Sequence, residues 1–146
     1  MRDTDRLKLE NQLCFPIYAC SREIIKAYHP YLQKLNLTYT QYIVMMVLWD
    51  RQSIGVKELG ALLYLDSGTL TPLLKKMEAK GYLQRARSAA DERCVLVSLT
   101  DAGRLLQQAA VHVPKCMGCK VALNESEAAT LYGLLYKVLA HLQEEK

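Results

Sequence analysis

Cysteine is the residue type in this chain with the most chemistry to offer. Five occur in 146 residues: Cys14, Cys20, Cys94, Cys116 and Cys119. An odd number does not close into a purely structural disulfide framework. The first ten residues, MRDTDRLKLE, are charged and lack an apolar run, so no secretory signal is expected and the expected compartment is the cytoplasm. Thiols rest reduced there, which leaves reactivity or metal binding as their use. A thiol attacks an oxidant as its thiolate, and a free cysteine, with a pKa of about 8.5, needs hydrogen-bond donors or a helix N-terminus to reach that state. Cys116-Met117-Gly118-Cys119 is a Cys-x-x-Cys pair, half of many zinc sites. His112, Cys116 and Cys119, at i, i+4 and i+7, share one helical face if the helix continues past Pro114, and so form a candidate metal set. Against it, Pro114 and Gly118 weaken that helix, and no second Cys-x-x-Cys or Cys/His pair supplies the remaining ligands.

A second constellation is built on charge. The net charge of +4, from 19 basic and 15 acidic residues, permits nucleic-acid binding without arguing for it. Placement says more. Ser67, Gly68, Thr69 and Thr71 stand at the start of one segment, with Lys75 and Lys76 following. Small polar groups at a helix N-terminus approach bases and phosphates closely, and the N–H groups there favour phosphate. Arg85, Arg87 and Arg93 flank a polar turn, and an arginine-bearing hairpin tip suits the negative potential of a minor groove. Each of these is, taken singly, an ordinary solvated charge. Asp91 is expected to orient an arginine rather than face phosphate.

The elements that position these residues follow from periodicity. About half the chain is hydrophobic, enough for a real core, and no stretch approaches the ~18 apolar residues of a membrane span. A first helix is expected over about Leu7 to Tyr28, with Pro16 inside it and Pro30 ending or kinking it. Thr38-x-x-Gln41 fits a capping box ahead of the apolar run IVMMVLW, a central helix. Val56, Leu59, Leu62 and Leu63 make one face of a short third helix. A fourth starts between Asp66 and Gly68, carries Leu70, Leu73, Leu74 and Met77, tolerates Pro72 by starting late, and stops at Gly81. Two short runs, Tyr82 to Arg87 and Cys94 to Leu99, flank the turn as a β-hairpin. A fifth helix starts at Thr100-Asp101 and runs toward Pro114. A sixth follows the capping box Asn124-x-x-Glu127 with a stripe of Leu131, Leu134, Leu135, Val138 and Leu142. The class is mostly α with a small hairpin. A helix pair followed by a hairpin is the winged helix-turn-helix pattern, whose second helix enters the major groove.

The residues from Asp66 to Glu78 (DSGTLTPLLKKME), the wing Asp91-Glu92-Arg93 and the following Val97-Ser98-Leu99-Thr100-Asp101-Ala102-Gly103 resemble the MarR family of dimeric repressors. The helix motif, with Asn11-Gln12-Leu13-Cys14-Phe15 and Leu37-Thr38-Tyr39-Thr40-Gln41-Tyr42, is similar to the organic hydroperoxide resistance regulators within that family. The resemblance covers nearly the whole chain. It implies one domain over residues 1–146, with a DNA-binding lobe at 38–100 and dimerisation helices at 1–37 and 101–146. It implies a redox-sensing repressor and no enzyme, a homodimer on pseudo-palindromic double-stranded operator DNA, organic hydroperoxide as oxidant, no cofactor and no membrane.

The same resemblance assigns the thiols. Cys14 matches the peroxide-reactive cysteine, and Tyr28 and Tyr39 match the tyrosines that contact it from the partner subunit. Hydroxyl donors there favour the thiolate. Attack on peroxide gives a sulfenic acid, which condenses with a second thiol. Counting from Pro114, Cys119 matches the resolving position of some subgroup members better than Cys116. The extra thiol keeps three pairings open: Cys14 with either, or Cys116 with Cys119. Two other regulators stay in view, one responding to a metal at His112, Cys116 and Cys119 and one to a small phenolic or lipophilic ligand. A thiol peroxidase needs an activator near Cys14; Arg22 lies eight residues away and serves only where folding brings it close.

Overall fold

The structure, a computed structural model, describes residues 2–146. One compact unit ends at Val113, and a second spans Pro114–Lys146. In the first, two short 3-10 turns (Asp3–Leu7 and Leu9–Asn11) lead into α1 (Cys14–Gln33). Then come α2 (Tyr39–Arg51), β1 (Ser53–Gly55), α3 (Val56–Leu63), α4 (Ser67–Ala79), β2 (Leu83–Arg87), β3 (Val95–Leu99) and α5 (Asp101–Ala110). Two more helices follow, α6 (Val113–Val121) and α7 (Glu125–Glu144).

Helix starts follow local chemistry. The Thr38 side chain accepts from the Gln41 amide at 3.3 Å and the Gln41 side chain accepts from the Thr38 amide at 3.2 Å, a reciprocal capping box. Asn124 and Glu127 do the same for α7. Asp66 caps α4 by accepting from the Thr69 amide at 2.7 Å. At the other end of α4, Gly81 takes φ +81°; its amide bonds the Glu78 carbonyl and the Tyr82 amide bonds Met77, a Schellman closure that leaves little choice of residue at 81.

Prolines account for most departures from the expected boundaries. α1 starts at Cys14, seven residues later than expected, and Pro16 lies in its first turn, where amides lack intrahelical partners anyway. Pro30 does not end α1. The helix continues to Gln33 because Leu32, its penultimate residue, is almost wholly buried and anchors the last turn. Pro72 is the sixth residue of α4, not in its first turn, so the Gly68 carbonyl loses the bond that residue 72 would otherwise give. The fully buried Val113 begins a separate α6 with Pro114 as its second residue, which makes seven α-helices among the described residues where six were expected.

The expected hairpin pairs as β2 with β3, Leu83 opposite Leu99 and Arg87 opposite Val95. The unexpected strand is β1, which pairs with the other edge of β3 to give the antiparallel order β1-β3-β2. Three residues are too few for a readable alternation, and only Ile54 among them is buried. The core joins Val44, Met45 and Leu48 of α2, Leu59 of α3, Leu70, Leu74 and Met77 of α4, and Leu83 and Val97 of the sheet. Each such side chain contributes roughly 1.5–3 kcal/mol by leaving water. Leu62, expected on the inner face of α3, is exposed, as is Met46 of the otherwise central α2.

Candidate functional site

α3 and α4 meet at a tight turn, with Tyr64 left-handed at the end of α3, and the wing follows α4 directly. At the start of α4, Ser67, Gly68 and Thr69 are exposed and Thr71 is half-buried; Lys75 and Lys76 are exposed one to two turns on. The apolar stripe of Leu70, Leu74 and Met77 faces the core, which leaves Gly68, Thr69, Lys75 and Lys76 outward; Thr71 flanks the stripe, and Ser67 is exposed one turn ahead of it.

The wing arginines divide into two kinds. Arg87 and Arg93 are exposed near the hairpin tip. Arg87 Nη1 donates to the Glu92 carbonyl at 3.0 Å, and Asp91 Oδ1 accepts from the Arg93 amide at 3.0 Å and from its Nε at 3.4 Å. Asp91 therefore orients an arginine, as its place in the turn suggested. Arg85 is half-buried and turned toward α4: its Nε meets Glu78 Oε2 at 2.8 Å and its amide meets Glu78 Oε1 at 3.2 Å. Sequence reasoning missed Glu78, because it lies on α4 and Arg85 on β2, and no single period runs across the stop between them.

This pair ties the wing to α4 in a pH-dependent way. The Arg85 guanidinium, then its amide, hold the Glu78 carboxyl below its ordinary value. A carboxyl depressed in the folded state stabilises above its unfolded pKa and loses that contribution as pH falls through the folded value. Protection of the Arg85 amide from hydrogen exchange is accordingly expected to fall once the pH drops below the usual carboxylate range. Glu78→Gln is expected to show the weaker protection already at neutral pH and to lose the acid dependence. Unchanged Arg85 protection in that variant rules the tie out.

All five cysteines are free thiols; Cys116 is half-buried and the other four are exposed. Cys14 is the first residue of α1, the end at which a helix favours negative charge. Beside it Leu13 and Phe15 are exposed, and an open groove is lined by Lys8, Leu9, Glu10 and Phe15. Tyr28 and Tyr39 come together with ring centroids 4.9 Å apart, and Tyr42, which sequence reasoning left out, closes the cluster at 5.8 Å from Tyr28. Burial raises the pKa of all three hydroxyls, with neighbouring tyrosines adding to the effect on Tyr28 and Tyr42. They stay protonated and able to donate. Tyr28 lies fourteen residues along the same straight helix from Cys14, or about 21 Å. A protomer's tyrosines therefore do not reach its own Cys14.

The remaining candidates separate. Arg22 is about 12 Å along α1 from Cys14, and its guanidinium donates to the Tyr18 hydroxyl at 3.1 Å. His112 falls in the two-residue break between α5 and α6, with its ring 6.5 Å from that of Tyr31, so it does not share a helix with Cys116 and Cys119. Among the described residues no group of three or more His, Cys, Asp or Glu side chains is placed to hold a metal ion. No described helix is long and apolar enough to cross a membrane.

A helix pair, a wing fastened to its second helix and a polar, lysine-bearing outer face define a winged helix-turn-helix regulator of transcription. Residues 26–109 match the family model described as transcriptional regulator SarA/Rot. The chain is 49% identical over 144 residues to an organic hydroperoxide resistance transcriptional regulator of Bacillus subtilis, covering 97% of this chain and 96% of the relative. Among solved structures it superposes on reduced AbfR bound to DNA with a TM-score of 0.78 at 33% identity, covering 95% of this chain and 97% of that one. A mutant of MarR from E. coli complexed with operator DNA gives a TM-score of 0.79 at 31% identity, over 87% and 93% of the two chains. The chain belongs to the MarR family, in the branch of the organic hydroperoxide resistance regulators. This is a family of regulators, not of enzymes.

Proposed function

We propose that this protein is a cytoplasmic homodimeric repressor that holds operator DNA while Cys14 is reduced and releases it when an organic hydroperoxide oxidises Cys14. The observation that carries the reading is the division of the sensor along α1. An exposed thiol stands at the first residue and a cluster of protonated tyrosines stands about 21 Å away, so the two halves meet only across a dimer. The single protomer leaves the apolar surface for that dimer uncovered. Leu13 just before α1 and Phe15, Ile17 and Ile25 on it are exposed, and so are Leu131, Leu134, Leu135, Val138 and Leu142 of α7, a helix with no buried residue.

The chemistry balances simply. The Cys14 thiolate attacks the terminal peroxide oxygen; the O–O bond breaks, the alkoxide leaves and takes a proton from water to become the alcohol, and sulfur becomes a sulfenic acid. Tyr28 and Tyr39 of the opposite subunit donate to the thiolate before attack. The sulfenic acid then condenses with Cys119 of the other subunit, losing water, with Cys116 the competing thiol. Bringing two sulfurs to bonding distance needs Cα atoms within about 7 Å, and this constraint moves the reading heads. On DNA, α4 enters the major groove with Ser67, Gly68, Thr69 and Thr71 toward bases and phosphates and Lys75 and Lys76 on the backbone. Arg87 and Arg93 carry the wing to the minor groove. Arg85 supports them from behind, through Glu78.

The test is operator binding by the reduced dimer before and after cumene hydroperoxide, with dithiothreitol added last. Release by the hydroperoxide and recovery with the reductant are expected, together with a disulfide-linked dimer on a non-reducing gel that requires both Cys14 and Cys119. Continued binding at full oxidation of Cys14 overturns the reading.

A further inference from the structure

We infer that Lys80 is the positioning residue through which the tyrosine cluster controls the DNA-reading helix, an inference that rests on the function proposed above. Lys80 is the C-terminal cap of α4. Its ammonium donates to Gln41 Oε1 at 2.9 Å and to the Asn36 carbonyl at 2.7 Å. Gln41 is the buried polar side chain of the core, 3% exposed, and its same oxygen also accepts from the Thr38 amide. Thr38 and Gln41 bracket the first turn of α2, which begins with Tyr39 and is followed at once by Tyr42. One ammonium therefore joins the turn that carries the sensor tyrosines, the loop after α1 and the end of the helix that reads DNA. Tyr82 reinforces the same junction with a long bond from its hydroxyl to the Leu35 carbonyl at 3.5 Å.

The character of this link suits transmission better than simple anchoring. The rest of α4 meets the body through Leu70, Leu74 and Met77, and apolar contact is non-directional. The bonds from Lys80 are directional, so a shift of Tyr39 carries the α4 end with it. Electrostatics set the link near balance. The cation sits favourably at the C-terminal end of α4 and unfavourably near the N-terminal end of α2. Its two acceptors are an amide oxygen and a backbone carbonyl, both uncharged. Burial, then the neighbouring Lys76 charge, lower the Lys80 pKa. A link of this kind is strong enough to pull and weak enough to rearrange. Asn36, which supplies the second acceptor, holds φ +55°, so the loop that meets Lys80 is itself in a conformation few residues take.

The experiment measures operator affinity of the full-length dimer by fluorescence anisotropy, reduced and after cumene hydroperoxide, and takes the ratio of the two dissociation constants. Lys80→Met removes the donors and keeps an unbranched side chain only one atom shorter. It is expected to bind reduced within about threefold of the wild type while the ratio falls about tenfold, inside the usual span of coupling between sites. Lys80→Gln, which keeps a neutral donor, is expected to fall between the two and guards against a folding defect. Gln41→Glu, which preserves the capping box and offers Lys80 a carboxylate, is expected to keep the full ratio. An unchanged ratio in folded Lys80→Met overturns the inference. So does a loss of reduced binding with the ratio intact, because Lys80 would then only support the fold or touch DNA. The wild-type arm is read first: a wild type that never releases its operator overturns the proposed function itself.

Discussion

Cys14→Ser is expected to bind the operator like the reduced wild type and to remain bound at hydroperoxide concentrations that release it. The side chain is exposed at the first position of α1, so exchanging sulfur for oxygen disturbs no core contact and is expected to change stability by no more than about 0.5 kcal/mol. What it removes is the nucleophile. A serine hydroxyl does not ionise near neutral pH and forms no counterpart of the sulfenic acid, so neither the first oxidation nor the condensation with a second thiol proceeds. The size of the effect is set by the DNA contacts. Wild-type affinity is expected to drop by about 10³-fold or more on oxidation, the gap between specific and non-specific binding, because both half-sites must fit at once. The variant is expected to show no drop. Anisotropy titrations on one operator fragment at fixed salt measure both, and equal release of Cys14→Ser moves the sensor elsewhere. The exposed thiols Cys20 and Cys94 are then the first to be tested.

Gly103→Ala is expected to cost about 3 kcal/mol or more of stability, at or beyond the upper end for overpacking. Two effects compete. Alanine is the better helix former by roughly 1 kcal/mol. Against that, a Cβ at position 103 would stand 2.1 Å from the Tyr82 carbonyl oxygen and 2.8 Å from Leu99 Cδ1. The nearer obstacle is backbone, so it does not swing aside. It is also tied in on every side. The Tyr82 carbonyl accepts from the Thr100 amide, Thr100 Oγ1 donates to the Gly81 carbonyl at 2.6 Å and accepts from the Gly103 amide at 3.1 Å, and the Gly103 carbonyl accepts from Trp49 Nε1 at 2.9 Å. These bonds hold together the end of α4, the start of α5 and the last turn of α2. Overpacking wins, and the thermal midpoint is expected to fall by about 10 °C. A midpoint within about 2 °C of the wild type shows that α5 slides to make room. Because the clash bears on the Gly81–Tyr82 stop of α4, a folded variant is also expected to bind operator more weakly when reduced.

The elements of this protein were legible wherever local chemistry decides. The capping boxes at Thr38 and Asn124, the Asp66 cap, the Gly81 stop and the hairpin all depend on residues within a few positions of one another, and each stands where the sequence puts it. The start of α4 with Ser67, Gly68 and Thr69 outward, and the Asp91–Arg93 contact, are of the same kind.

Tertiary structure decided what depends on distant partners. Pro30 breaks a helix by every local rule, yet burial of Leu32 carries α1 past it. β1 exists because β3 has a free edge to pair with. Arg85, alike in sequence to Arg87, is drawn to Glu78 instead of the wing tip. Gln41 and Lys80, thirty-nine residues apart, share a bond that no periodicity announces. For the thiols the division is the same. Sequence determined which cysteine carries the resemblance and which tyrosines accompany it. The fold placed Cys14 at the head of α1, added Tyr42 to the cluster and set it about 21 Å down the helix. A helix separates its two ends by its length, so a protomer does not bring its own tyrosines to its own Cys14.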